Sequence, residues 1–277
     1  MAIWQVNTTR LSDDAGLIIG ILNTSPESFY DGDQVATATA SVARALQLYA
    51  DGADIVEVGG QTTRPGFQAQ GLELTPELEI ERTIPVITAI KQAQPQALVA
   101  IDTYKYEVMV AAVRAGVDVI NDVNGFTDDP RKLAFLSTTT VGLLTMWNPR
   151  QAHVPDVRAG LRNWAMANLN TLTAAGIAAD RILLDPGLGY AKDSALAHDL
   201  AIMKHVDVLK NLGRPILVAV SNKGWAKQLL GLDKQHRTTV SLVAAQAMMG
   251  RGARVLRVHD VKQTRDMLQV LAAIDHV

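Results

Sequence analysis

Eight short apolar runs alternate along the chain with longer stretches of helical character, and this alternation limits the fold more than any other feature. The runs are "GLIIGILN" (16–23), "DIVEVGG" (54–60), "LVAID" (98–102), "VDVIND" (117–122), "VGLLTM" (141–146), "RILLDPG" (181–187), "PILVAVS" (215–221) and "ARVLRVHD" (253–260). Most are nearly continuous Val, Ile and Leu rather than alternating, the pattern of strands covered on both faces of a parallel sheet. Between them, "TPELEIERTIPVITAIKQA" opens with Thr75, Pro76 and Glu77: a capping hydroxyl, a proline in the first turn and an acid beside the positive helix end. Pro85 predicts a kink or a break within it. "ATATASVARALQLYADG", "YEVMVAAVRAG" and "VSLVAAQAMMGRG" stop on glycine, a helix-end signal, and tracts 157–176 and 261–275 complete the set.

Eight strands, each followed by helix, with no linker or shift of composition, predict an α/β fold: a (β/α)8 TIM barrel forming one domain over residues 1–277. A doubly wound open sheet is the competing architecture, and the lack of G-x-G-x-x-G after the first strand weighs against it. Residues 2–12 predict a strand or hairpin that closes the barrel bottom. A chain of 277 residues buries enough surface to fold without staples. It contains no cysteine, which excludes disulfides and thiolate metal sites and suits a reducing cytoplasm. A net charge of -2 offers no footprint for nucleic acid or an anionic membrane. No apolar run reaches the roughly 20 residues of a membrane span, and residues 1–10 lack a signal-peptide layout. The expectation is a soluble cytoplasmic protein with no nucleic-acid or membrane partner.

In such a barrel the C-terminal strand ends form the active face. Here the first run ends at Asn23, and the second at a glycine pair followed by Thr62, Thr63 and Arg64. The third ends at Asp102, the fourth at Asn121 and Asp122, and the sixth at Asp185. Ser221 and Lys223 end the seventh; Arg257, His259 and Asp260 end the eighth. Only the fifth, at Thr145–Met146–Trp147, is mostly apolar. A lone aspartate at a strand end reads equally well as a helix cap, and Asp122 and Asp260 keep that reading. Seven polar ends of eight imply a convergent site, because a buried unpaired polar group costs about 1–3 kcal/mol. A lysine at position 223 is ordinarily a surface lysine, but this one stands on that face. Asp102, Asn121 and Asp185 suit a ring rich in N–H groups, since a carboxylate matches an amino-pyrimidinone edge. Arg64, Arg257 and His259 suit phosphate, and Lys223 serves either. Asn23 suits Mg²⁺, which takes few protein ligands. No Cys/His cluster points to zinc; His153 and His205 read as solvated.

These residues stand in motifs. "GILNTSPESFYDGD", "DIVEVGGQTTRPG", "AIDTYKYEVMVAAVRAGVDVINDVNG", "ILLDPGLGYAK", "ILVAVSNKGW" and "VLRVHDVKQT" follow one another in the order found in the dihydropteroate synthase family, which the chain resembles over about residues 16–270. The resemblance implies transfer of the 7,8-dihydropterin-6-ylmethyl group from its pyrophosphate ester to 4-aminobenzoate, with strong S_N1 character. It places the pterin on Asp102, Asn121, Asp185 and Lys223. It places 4-aminobenzoate among Phe29, Thr63, Arg64, Pro65, Ser221 and Lys223. Pyrophosphate falls to Asn23, Arg64, Arg257 and His259, with Mg²⁺ on Asn23. Asp102, Lys223 and Arg257 form the implied catalytic set, and a homodimer the implied assembly. The loops after the first two strands are expected to close over the intermediate.

Four places depart from the family pattern. Thr24–Ser25–Pro26–Glu27 replaces Val-Thr-Pro-Asp, and Gln61 replaces a glutamate. Thr145–Met146–Trp147 replaces Met-His-Met, which alters the expected outer wall of the pterin pocket. Asn222 replaces the arginine of Ser-Arg-Lys, removing a cation beside the aminobenzoate pocket or a structural ion pair. Two alternatives stand beside the synthase: a divergent pterin-binding paralogue without the activity, and a pterin-binding methyltransferase barrel. The latter has no use for the anion grip of Asn23, Arg64, Arg257 and His259.

Overall fold

The computed structural model describes residues 2–24, 38–61, 71–150, 152–191 and 195–275. An antiparallel hairpin, β1 (Ile3–Val6) and β2 (Thr9–Ser12), comes first. Eight strands follow: β3 (Leu17–Asn23), β4 (Ile55–Gly59), β5 (Leu98–Asp102), β6 (Val119–Asp122), β7 (Gly142–Met146), β8 (Ile182–Asp185), β9 (Leu217–Val218) and β10 (Val255–Val258). All neighbouring pairs are parallel, in the order β8-β7-β6-β5-β4-β3-β10-β9. A parallel bridge between Leu184 and Ile216 joins the two ends of that order and closes the barrel. Each of the eight apolar runs therefore contributes one staff.

Consecutive residues on these strands enter two different cores. Ile19, Ile55, Ala100, Val119, Leu144, Leu183, Leu217 and Val255 fill the barrel interior. Their sequence neighbours Ile18, Val56, Ile101, Ile120, Leu143, Ile182, Val218 and Leu256 pack outward against helices. Period-2 alternation under cover on both faces is why the runs lack polar interruptions.

The outer layer comprises α1 (Ala38–Ala50), α2 (Pro76–Ala93), α3 (Tyr106–Arg114), α4 (Pro130–Leu136), α5 (Val157–Ala174), α6 (Ala195–His205), α7 (Trp225–Leu230), α8 (Thr238–Met249) and α9 (Val261–Asp275). Thr75 caps α2 by accepting from the Leu78 amide at 3.4 Å. The break expected at Pro85 does not occur: α2 runs through it. Pro85 lies on the exposed face, where the carbonyl it leaves unpaired meets water. α4, α6 and α7 stand outside the predicted helical tracts; α4 has only seven residues, started by the Asp129 cap and Pro130.

The hairpin closes the bottom, as expected. Trp4 and Val6 join the interior core, and the Trp4 indole donates to the Arg181 carbonyl at 2.8 Å. Gly142 makes this approach possible, because a Cβ there would stand 2.8 Å from Val6 Cγ2. At the opposite end the register lines up Asn23, Gly59, Asp102 and Asn121 in one row across four strands. No described helix is long and apolar enough to cross a membrane.

Candidate active site

That row carries a charge cluster. Glu57, two residues before Gly59 on β4, is buried. Its carboxylate accepts from Arg257 Nε at 2.6 Å, from Arg257 Nη2, and from Asn121 Nδ2 at 3.0 Å. Arg257 Nη2 also donates to Asp102 Oδ2 at 2.7 Å. Two buried acceptors, Asp102 Oδ1 and Asn121 Oδ1, have no hydrogen-bond partner among the described residues. Acceptors in that condition cost stability until a donor reaches them. Burial pushes the Asp102 carboxyl up to about 7; Arg257 opposes the shift, while Glu57, Glu79 and Asp122 add to it.

Asp185, also buried, ends β8. Its Oδ1 accepts from the Gly187 amide at 2.8 Å. Its Oδ2 makes no hydrogen bond among the described residues. Gly187 has φ +74°, and a Cβ on it would fall 1.8 Å from the Trp147 carbonyl oxygen, so only glycine fits. The chain then passes Leu188, whose carbonyl accepts from Lys223 Nζ. Burial raises the Asp185 pKa and lowers that of Lys223, and each opposes the other's shift by its charge. Lys223 Nζ stands 5.4 Å from the Tyr190 ring centre, and the Arg150 guanidinium lies over that ring at 4.2 Å. Asp199 accepts from the Gly189 amide at 2.7 Å, and burial raises its pKa.

Past β9 the chain makes a left-handed turn at Asn222, φ +57°. Arg237, buried, holds the turn by donating to the carbonyls of Asn222 at 3.1 Å and Leu232 at 3.0 Å. Asparagine tolerates that backbone better than arginine does. Its Oδ1 is buried without a partner. Ser221 Oγ and His259 Nδ1 lie 3.1 Å apart. Burial, then the cations Arg257, Lys234 and Lys223, push the His259 imidazole down to about 4, so it is neutral at pH 7.

These groups surround a cavity of about 430 Å³ whose lining includes Asn23, Gln61, Asp102, Tyr190, Lys223, Arg257 and His259. Asn121 and Asp185 are not on the lining; they are held against Glu57 and Gly187. The structure thus brings together Asn23, Asp102, Asn121, Asp185, Ser221, Lys223, Arg257 and His259. Phe29, Thr63, Arg64 and Pro65 lie outside the described residues, as do Ser25, Pro26, Glu27 and the two loops expected to close. Asp122 is a brace: it accepts from the amides of Asn124 at 2.8 Å and Phe126 at 3.2 Å, and from Lys132 Nζ at 2.7 Å. Asp260 likewise receives the Thr238 hydroxyl at 2.9 Å. His205 is half-buried rather than solvated.

The expected change in the pocket's outer wall does not reach the cavity. Trp147 turns outward, stacking near His198 with ring centres 5.4 Å apart and covering Gly160 of α5. Thr145 bonds Asn168 at 2.8 Å. Gln61 accepts from the Leu74 amide at 2.6 Å and Lys105 Nζ at 2.7 Å, and donates to the Tyr104 hydroxyl at 3.1 Å. Lys105 keeps Glu79 as its counter-ion, so a neutral residue suffices at 61. Glu57, Tyr190, Asp199 and Arg237 are functional candidates that the sequence reading did not single out.

The family model described as "Pterin binding enzyme" matches residues 19–259. A dihydropteroate synthase of Streptococcus pyogenes is 36% identical over 264 residues, covering 95% of this chain and 97% of that protein. The Xanthomonas albilineans dihydropteroate synthase solved with 4-aminobenzoic acid matches with a TM-score of 0.90 at 34% identity, covering 100% of both chains. The structure of dihydropteroate synthase from the same organism in complex with 7,8-dihydropteroate gives a TM-score of 0.86 at 32% identity, again covering 100% of both.

Proposed function

The chain belongs to the pterin-binding enzyme family, and from that premise we propose that it works as a dihydropteroate synthase. The reaction joins 7,8-dihydropterin-6-ylmethyl pyrophosphate to 4-aminobenzoate and releases pyrophosphate and 7,8-dihydropteroate. The observation that carries this reading is the pair of buried, partnerless oxygens on Asp102 and Asn121, set beside an arginine. Acceptors that await N–H donors, next to a guanidinium whose Nη1 is not used by Glu57 or Asp102, suit a pterin joined to a pyrophosphate.

In this reading Asp102 Oδ1, Asn121 Oδ1 and Asp185 Oδ2 accept from the ring N–H groups of the pterin, and Lys223 closes that end of the site. Arg257 spends Nε and Nη2 on Glu57 and Asp102, which leaves Nη1 for the leaving anion. Neutral His259 and Ser221 border it. The C–O bond breaks and its electron pair leaves with pyrophosphate. The amine nitrogen of 4-aminobenzoate then attacks the methylene and releases a proton. The arylamine is a weak, neutral nucleophile at pH 7, so the barrier falls through ionisation and positioning. Asp102 favours the cationic methylene through its carboxylate charge. Phe29, Thr63, Arg64, Pro65 and Ser221 border the aminobenzoate.

Mg²⁺ fits Asn23. Its amide oxygen lies beside Gly59, where a Cβ would come within 3.5 Å, and it faces the same cavity as Arg257. Mg²⁺ takes few protein ligands and most of its shell from water and phosphate, so one amide oxygen suffices. Bound there, Mg²⁺ would neutralise charge on the leaving pyrophosphate. The whole chain acts as one pterin-binding domain, in the cytoplasm and as a homodimer.

The test is a coupled assay of pyrophosphate release from the pterin ester by the purified chain, with and without 4-aminobenzoate. Release that depends on 4-aminobenzoate is expected. Pterin binding without any such release would assign the chain to the non-synthase paralogues.

A further inference from the structure

Glu57 is not on the lining of that cavity, yet two of the groups assigned to substrate hang on it. It interrupts an apolar strand, between Val56 and Val58, which pack outward, while its own side chain is 1% exposed. One carboxylate oxygen, Oε1, takes Nε and Nη2 of Arg257; the other, Oε2, takes Asn121 Nδ2. An amide has two faces of opposite character, and a carboxylate accepts only. Glu57 therefore consumes the donor face of Asn121 and leaves Oδ1, buried and without a partner among the described residues, as the acceptor. By the same contacts it fixes the guanidinium plane with Nη1 directed away from the cluster.

We propose that Glu57 is a positioning residue: it selects the acceptor face of Asn121 for the pterin and aims Nη1 of Arg257 at the leaving anion. The proposal rests on the synthase reading for the identity of the ligands. It also has an electrostatic consequence. The charged groups acting on Asp102 are Arg257 from β10, Glu57 from β4, Glu79 from α2 and Asp122 from β6. Of these Glu57 raises the Asp102 carboxyl, so neutralising position 57 moves the Asp102 titration to lower pH.

Glu57→Gln is the test, in the full chain. The glutamine amide offers its oxygen to Arg257 and its N–H to Asn121, which forces Asn121 to turn over and present a donor where the pterin also has donors. We expect 6-hydroxymethyl-7,8-dihydropterin to bind about 30-fold more weakly by calorimetry, the loss of one buried hydrogen bond. The acid limb of kcat/KM moves to lower pH, and KM for 4-aminobenzoate stays within about threefold. Glu57→Asp, which retains an acceptor-only side chain, restores most of the pterin affinity. Unchanged pterin affinity in a folded Glu57→Gln protein overturns the proposal. Should that variant fail to fold, NMR of the parent decides. The Asn121 side-chain N–H resonances keep their positions when pterin is added if Glu57 holds them, and a large shift overturns the proposal. The calorimetric and NMR readouts, which decide the proposal, are of binding, so they stand apart from the turnover assay that tests the synthase reading.

Discussion

Replacing Asp185 by asparagine changes one oxygen and one charge while keeping shape. In the parent, Oδ1 is engaged by the Gly187 amide at 2.8 Å, and Oδ2 is the oxygen left for a ligand. The Gly187 bond holds the asparagine with its carbonyl on that amide, so the NH₂ group takes the place of Oδ2. A donor then meets the pterin's own N–H donors. Losing a charge-assisted bond costs about 1.5–3 kcal/mol, and leaving a ligand donor unsatisfied about 1–3 kcal/mol more. Together that is about 2.5–6 kcal/mol, on the order of 10²–10⁴-fold in Kd. Folding responds in the opposite direction. Burial raises the Asp185 pKa, with Lys223 opposing. An acid whose folded pKa lies above its unfolded one binds protons more readily in the native state, so it lowers stability as pH rises through that range. The asparagine variant loses this penalty. Calorimetry with a pterin near pH 7.5, alongside a thermal melt, measures both effects. Weak or absent binding with an unchanged or higher Tm is expected. Binding within threefold of the parent would refute the assignment of Oδ2 to the ligand.

Three further outcomes follow from the same geometry. Gly187→Ala puts a Cβ 1.8 Å from a backbone oxygen at φ +74°; strain and overpacking together cost about 2–6 kcal/mol, and a Tm within 3 °C of the parent, on this threshold of about one kcal/mol, would contradict it. His259 is held near 4 against 6.5 when unperturbed, so the unfolded state binds more protons between those values. Stability is fully present above about pH 6.5 and declines as pH falls toward 4, by roughly 3 kcal/mol; urea melts of His259→Gln should lose most of that slope. Asn222→Arg costs about 1 kcal/mol because of the left-handed backbone, yet it adds a cation to the cavity lining, and tighter 4-aminobenzoate binding by calorimetry is expected. Unchanged affinity would make position 222 a matter of backbone alone.

The barrel was readable because its strands are covered on both sides. Residue pairs such as Ile18 and Ile19 serve different cores, and the chain has to write both as apolar. Strand ends were readable for a related reason: Asn23, Asp102, Asn121 and Asp185 stand where apolar runs stop. Glu57 escaped because it sits inside a run, where a single acid resembles noise. The signal was there, since a charge between two buried valines requires a partner. Trp147 was open between walling the pocket and covering the rim for the opposite reason: the residue just past a strand points to either face according to the turn that follows, and here Gly187 and α5 decide. Arg237 and Asp199 act through backbone carbonyls and amides, contacts that leave no pattern in residue types. α4 carried its cap and proline but is too short for its periodicity to register.

The hairpin at the barrel floor has a kinetic side. Trp4 hydrogen-bonds a residue 177 positions later, and β3, the first staff, pairs with β10, the last. The Trp4 indole is therefore covered only once Gly142 and Arg181, both far along the chain, are in place. The floor waits on Arg181 and the seam on β10, so both depend on pairings distant in sequence, which form slowly. With the other three of the four tryptophans replaced, Trp4 fluorescence would time closure of the floor separately from closure of the seam.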